Sequence, residues 1–221
     1  NCLSVEPLET EFGRKRQINQ SSCNKDYSCV NGFCPSFVTV EGGKLKKPAK
    51  TKVEAGGAFD VSSLPAPVLP STATPYGVIV TGVGGTGVIT IGQIMAMAAH
   101  LQGKSCSVLD MTGLAQKGGA VMSHVRLADK AEDIQSTRVG TGMADLVIGC
   151  DLIVTAGKDA VSRMGEGRTQ GAINASSSPT ATFIKNPNWQ FPAGSAEAEI
   201  RKACGQDRVD MVDATTIATA L

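Results

Sequence analysis

The chain has 221 residues, a formal net charge of +1, 42% hydrophobic residues and 19% charged ones. That length suits one full domain plus an appendage, and the composition is globular rather than disordered. The charge balance gives no overall attraction for nucleic acid or a membrane surface, and no uninterrupted apolar run of about 18 residues is present to span a bilayer. Aromatic residues are only 4% while there are 25 glycines, so the core must be built from Val, Ile, Leu, Ala and Met with close backbone packing, an α/β profile. The chain opens on Asn1-Cys2 without an initiator Met or a secretory leader and stops at Leu221 inside an apolar pattern, so both ends read as cut.

Four of the seven cysteines, Cys2, Cys23, Cys29 and Cys34, lie in residues 1–42, a loop-rich segment ending Cys34-Pro35. Four thiolates can hold an iron–sulfur cluster or a zinc ion, and paired disulfides are the alternative. The absence of a secretory signal, together with single cysteines at 106, 150 and 204 on apolar elements, favours metal binding in a reducing, cytoplasmic setting. Cys106, Cys150 and Cys204 read as small buried hydrophobes. Residues 43–75, rich in Pro, Gly and Lys and without apolar periodicity, read as a linker. Charge divides the same way: residues 1–52 hold nine Lys/Arg against five Asp/Glu, and residues 53–221 hold twelve against fifteen.

From Tyr76 onward strands and helices alternate. Gly77–Thr81 is a β-branched run, Val88–Leu101 carries helical spacing closed by Gly103, and Ser105–Asp110 is a second strand. Ala120–Leu127 sets Val121, Ser123, Val125 and Leu127 against Met122, His124 and Arg126, the pattern of a half-buried strand. Asp145–Cys150 predicts a buried strand, with Asp151 capping one helix that runs towards Met164. Gly171–Ala175 and Arg208–Asp213 predict further strands, a helix spans about Ser195–Cys204, and a last one starts near Ala214. The expectation is a Rossmann-like, mostly parallel sheet with helices on both faces over residues 76–221.

Gly82-Val83-Gly84-Gly85-Thr86-Gly87 joins the first strand to the first helix and fits G-x-G-x-x-G. Such glycines allow a tight turn and the approach of a phosphate to a helix N-terminus, and Asp110 ends the next strand where a ribose-binding acid would sit. A sharp strand-to-helix turn needs the same glycines without a ligand. A second turn, Gln116-Lys117-Gly118-Gly119, offers a cation and bare amides to a phosphate, or a subunit contact. His124 has no identifiable nucleophile partner and reads as a structural strand residue. No residue is singled out as catalytic.

Asn1-Cys2-Leu3-Ser4-Val5-Glu6-Pro7, the segment Cys23 to Phe37, and the block Gly82 to Arg126 with Asp110-Met111-Thr112-Gly113-Leu114-Ala115-Gln116-Lys117-Gly118-Gly119 resemble the long fused form of the indolepyruvate ferredoxin oxidoreductases. The resemblance places a cysteine-rich ferredoxin-like segment before the γ-type domain of the 2-oxoacid:acceptor oxidoreductases. It implies oxidative decarboxylation of an aryl 2-oxo acid such as indolepyruvate to an acyl-CoA, with electrons passed through a [4Fe–4S] cluster to ferredoxin. Thiamine diphosphate and Mg²⁺ would be held by domains of the same enzyme outside this chain, and a further C-x-x-C-x-x-C run would precede Cys2. The chain would then be a C-terminally truncated fragment, inactive alone, working with the remaining domains in a homo-oligomer.

On that reading Cys2, Cys23, Cys29 and Cys34 are cluster ligands, and Gly82, Gly84, Gly85, Gly87, Lys117, Gly118 and Gly119 approach CoA phosphates or form an interface. The residues by themselves leave two rivals: a nicotinamide-dependent Rossmann oxidoreductase using Gly82, Gly84, Gly87 and Asp110, and a non-catalytic module whose cysteines bind zinc.

Overall fold

The structure is a computed structural model that describes residues 5–19, 41–43, 65–113, 119–176, 186, 188 and 190–220. By its contacts the chain forms one unit from Asn1–Cys23 with Ser71–Leu221 and another from Asn24–Pro70. The second unit is described only at 41–43 and 65–70.

Within the expected cysteine-rich segment a hairpin is present that the sequence reading does not contain. β1 (Val5–Thr10) pairs antiparallel with β2 (Gly13–Ile18), closed by the two-residue turn Glu11-Phe12, after which Gly13 opens β2 with φ 86°. Polar contacts stitch the strands: Arg14 pairs with Glu9, and the Gln17 and Asn19 amides donate to the Glu6 carboxylate at 2.8 and 3.0 Å. β2 is largely exposed and β1 at most half-buried, so no apolar stripe announces them.

The main sheet has six strands: β3 (Tyr76–Val83), β4 (Ser105–Thr112), β5 (Ala120–Ala128), β6 (Leu146–Gly149), β7 (Gln170–Asn174) and β8 (Val209–Val212). Their spatial order is β4-β5-β3-β6-β7-β8. β3, β6, β7 and β8 pair in parallel, whereas β5 runs antiparallel to both β3 and β4. Five strands therefore point one way, and the expected α/β architecture is present with one reversed strand second from the edge.

Side-chain alternation divides the core into two layers. On one face α1 (Val88–Leu101) covers β3, β4 and β5 around Val78, Val80, Val88, Val121 and Val125. On the other, α2 (Leu152–Thr155), α3 (Lys158–Val161) and α4 (Ala193–Cys204) enclose Ile79, Val147, Leu152, Ile173, Ile200 and Cys204. A final helix, α5 (Ala214–Ala220), follows β8.

Two local expectations are corrected. The helix starting at Asp151 is not continuous: it breaks at Gly157, whose φ −67° and ψ 150° are extended, leaving the two single turns α2 and α3. The cap itself is as expected, with the Asp151 carboxylate accepting from Val154 N–H at 2.8 Å. Residues 121–125 of β5 are buried throughout rather than half-buried, because this strand lies between two neighbours with α1 on one side and Val139 on the other. At the far end of β5, Thr72 is buried and bonded to Asp129, which also meets Lys104 at 3.4 Å.

Candidate functional site

The glycine loop sits where β3 turns into α1, at the carboxyl end of the parallel strands, the usual position of ligand sites in open α/β sheets. The glycines differ in what surrounds them. A Cβ on Gly82 would overlap Thr86 Oγ1 and lie 2.8 Å from a Val88 methyl and 3.0 Å from Cys150 Cβ, so this position is filled by the protein. Gly84 N–H donates to the Gly119 carbonyl at 2.9 Å, which spends that amide on the chain itself. Gly85 and Gly87 take φ 100° and 84°, and a Cβ on either would point into open space. Thr86 closes the turn, its N–H and hydroxyl both donating to the Val83 carbonyl at 3.0 and 2.8 Å.

What remains is a helix N-terminus without a side-chain cap. Gly87 occupies the cap position, no acidic residue lies in the first turn, and the amides of Val88, Ile89 and Thr90 have no backbone partner among the described residues. An open groove of about 270 Å³ lies there, lined by Val83, Gly84, Gly85, Gly87, Val88, Ile89, Thr90 and Val121. Uncapped amides and the helix dipole favour an anion at this point, while the valines and Ile89 supply apolar wall.

The structure joins the two glycine turns through Gly84 and Gly119, which lie far apart in sequence. Lys117 and Gly118 lie outside the described residues, as do Cys2, Cys23, Cys29 and Cys34. Among the described residues no group of three or more His, Cys, Asp or Glu could hold a metal ion. Asp110 is not beside the loop's strand: it pairs with Ser123 of β5, which pairs with Val80 of β3, so two strand spacings, roughly 10 Å, separate it from β3. A dinucleotide site that uses Asp110 on the neighbouring strand does not have that neighbour here.

The remaining single cysteines are quiet. Burial pushes the Cys204 thiol up to about 11, and burial followed by the nearby Asp151 raises Cys150, so neither favours the thiolate. His124 lies buried in β5: it is 1% exposed, its Nδ1 accepts from Val139 N–H at 3.2 Å, and its pKa is pushed down to about 4 by burial and then by Arg163 and Arg138.

Residues 77–221 match the pyruvate ferredoxin/flavodoxin oxidoreductase family, and this stretch contains the whole six-stranded sheet except its first residue. The chain belongs to that family. Its similarity to indolepyruvate oxidoreductase subunit IorB of Pyrococcus horikoshii is 33% identity over 73 residues, covering 33% of this chain and 35% of the relative. To the same subunit of Methanothermobacter thermautotrophicus it is 25% over 133 residues, covering 60% and 64%. The chain thus spans between about a third and two thirds of these relatives. Among solved structures, the pyruvate oxidoreductase subunit PORC of Thermotoga maritima aligns over 66% of each chain at 21% identity with a TM-score of 0.45. The family is one of oxidoreductases, and relatives of this chain are oxidoreductase subunits.

Proposed function

We propose that this chain is the accessory γ-type portion, with a preceding iron–sulfur segment, of a thiamine-dependent 2-oxoacid:ferredoxin oxidoreductase. The observation that carries the reading is the family match across the α/β unit, residues 77–221. Relatives named as indolepyruvate oxidoreductase subunits favour an aryl 2-oxo acid such as indolepyruvate as substrate, with an acyl-CoA as product. Thiamine diphosphate and Mg²⁺ would supply the carbanion chemistry from the remaining domains of the enzyme; this chain assembles with them, in a homo-oligomer of the complete enzyme, and is inactive alone. The natural acceptor is ferredoxin and the setting is cytoplasmic.

Two parts of the chain would contribute. Cys2, Cys23, Cys29 and Cys34 form a thiol donor set suited to a [4Fe–4S] cluster, to which the upstream sequence would add ligands. The uncapped α1 N-terminus, framed by Gly84, Gly85, Gly87 and Gly119, would receive the phosphates of CoA, with Lys117 and Gly118, which precede Gly119 in the sequence, as further contributors. Gly82 serves the turn rather than the ligand.

The test reconstitutes the chain anaerobically with the thiamine-bearing portion. Expected are iron and acid-labile sulfide in the complex, reduction of ferredoxin dependent on indolepyruvate and CoA, and a KM for CoA raised by Lys117→Ala. An iron-free complex, or one that consumes no 2-oxo acid, overturns the reading. Unchanged CoA kinetics in Lys117→Ala and Gly85→Val together remove the CoA assignment.

A further inference from the structure

The backbone of Arg138 and Val139 is met by two guanidinium groups and an imidazole. Val139 N–H donates to His124 Nδ1 at 3.2 Å, Arg126 Nη1 donates to the Arg138 carbonyl at 3.3 Å, and Arg163 Nη1 reaches the Val139 carbonyl at 3.5 Å. Arg138 itself lies over β4, its Nη2 3.3 Å from the Met111 sulfur. Four elements converge here: β5 supplies His124 and Arg126, the 134–144 loop supplies Arg138, the turn after α3 supplies Arg163, and β4 supplies Met111.

Hydrogen-bond inventory shows what is missing. A neutral histidine whose Nδ1 accepts must carry its hydrogen on Nε2. That Nε2 is buried without a partner, and so are the Nε atoms of Arg126 and Arg163. Each of these atoms is a donor, and donors buried in a protein nearly always find an acceptor. Here three lack one around the same two residues, Arg138 and Val139. The half-buried guanidinium groups of Arg126 and Arg163 are also uncompensated: among the described residues no acidic side chain forms an ion pair with either, nor with the exposed Arg138. Buried or half-buried positive charge without a counter-charge is costly, and an acceptor-only species answers both deficits.

We propose that His124, Arg126, Arg138 and Arg163 form a binding site for a small oxyanion, a carboxylate or a phosphate group. The site is separate from the groove at α1. His124 and Arg126 face away from α1, whereas Ser123 and Val125 between and beside them face it, with Gly92 of α1 so close to Ser123 that a Cβ there would come within 2.8 Å of the hydroxyl. The oxyanion accepts from His124 Nε2–H and from the guanidinium forks, and ties β5, the 134–144 loop and the α3 turn together. The proposal does not depend on the oxidoreductase reading.

The experiment follows the imidazole ring signals of the whole chain by NMR during titration with inorganic phosphate and, separately, acetate, with sodium chloride holding the ionic strength constant. His100, exposed on α1, is the internal reference, as the chain has two histidines. Saturable displacement of the His124 signals with His100 unmoved is expected. Phosphate alone, acetate alone or both then tells which oxyanion the site accepts. Arg163→Gln should weaken the response by about tenfold or more, the scale of losing a charge-assisted hydrogen bond. Where that variant fails to fold, Arg138→Gln, on an exposed side chain, carries the same test. The proposal is overturned if neither anion moves His124 saturably, or if the response is the same in the folded arginine variants as in the parent chain.

Discussion

The hydroxyls of Thr81 and Thr155 meet at 2.8 Å in a fully buried position, joining the end of β3 to the single turn α2. Thr155 Oγ1 is in addition 2.6 Å from the Asp151 carbonyl, to which it donates. That assignment makes Thr81 the donor to Thr155, and the pair closes a chain of bonds from strand to helix backbone. Thr155→Val should cost about 1–3 kcal/mol by leaving the Thr81 hydroxyl without its acceptor. The double variant Thr81→Val/Thr155→Val should cost less than the sum of the two single changes, since no orphaned hydroxyl is left. Urea unfolding of the four proteins measures this; strict additivity would show the two hydroxyls to be uncoupled.

Glycines of the same composition should respond in opposite directions. Gly82→Ala forces a methyl against Thr86, Val88 and Cys150 and should destabilise by about 1–3 kcal/mol. Gly194, in the first turn of α4 with open space at its Cβ and no positive φ, should gain about 0.5 kcal/mol as Ala. Thermal unfolding of the two variants should therefore bracket the parent chain.

Asp151 caps α2 from a buried site that raises its pKa, the Val154 and Ile153 amides offsetting part of the rise. A carboxylate whose folded pKa exceeds its unfolded one contributes most stability below the unfolded pKa and loses it as pH rises through the folded value. Asp151→Asn keeps the capping oxygen without the buried charge, so at neutral pH it should match or exceed the parent. Asp151→Ala should cost about 1 kcal/mol. Denaturation midpoints at neutral and mildly acidic pH distinguish these outcomes.

His124 gives the opposite sign. Its pKa of about 4 in the folded chain lies below the unfolded value, so the unfolded state takes up a proton first as the medium is acidified. Stability from the neutral ring is complete above about pH 6.5 and falls between there and about pH 4, by about 3 kcal/mol over the interval. His124→Asn, which can still accept from Val139 N–H, should flatten this part of the pH profile. An equal acid dependence in both proteins would exclude His124 as the source.

Much of the fold was legible because the relevant signals are local. Gly77–Thr81 and Val88–Leu101 carry apolar periodicity, and Asp151 announces its cap, so β3, α1 and the start of α2 fall where expected. The hairpin at 5–18 escaped because its strands bury no apolar face; its signal is cross-strand complementarity, Glu9 opposite Arg14 and Glu6 opposite Gln17. Burial of residues 121–125 of β5 was masked by Ser123 and His124, polar residues whose surroundings come from elsewhere in the chain. The glycine turns could be found by pattern, but the Gly84–Gly119 bond is set by how β5 lies against β3, which no local window contains. The unanswered donors around Arg138 and Val139 were invisible for the same reason, being drawn from β5 and the turn after α3.

The reversed strand has a consequence for the order of assembly. β3, α1 and β4 are consecutive, yet β3 and β4 never touch; the crossover between them has to leave a slot one strand wide. β4 and β5 are close in sequence and can zip as a local pair, whereas β5 with β3 closes a longer loop and comes at a greater entropic cost. Until β5 docks, β3 and β4 each present an open edge able to recruit a strand from another chain. A nascent polypeptide released before residue 128 would expose both, so the step most prone to misassembly is the docking of β5, with β4 beside it, on the open edge of β3.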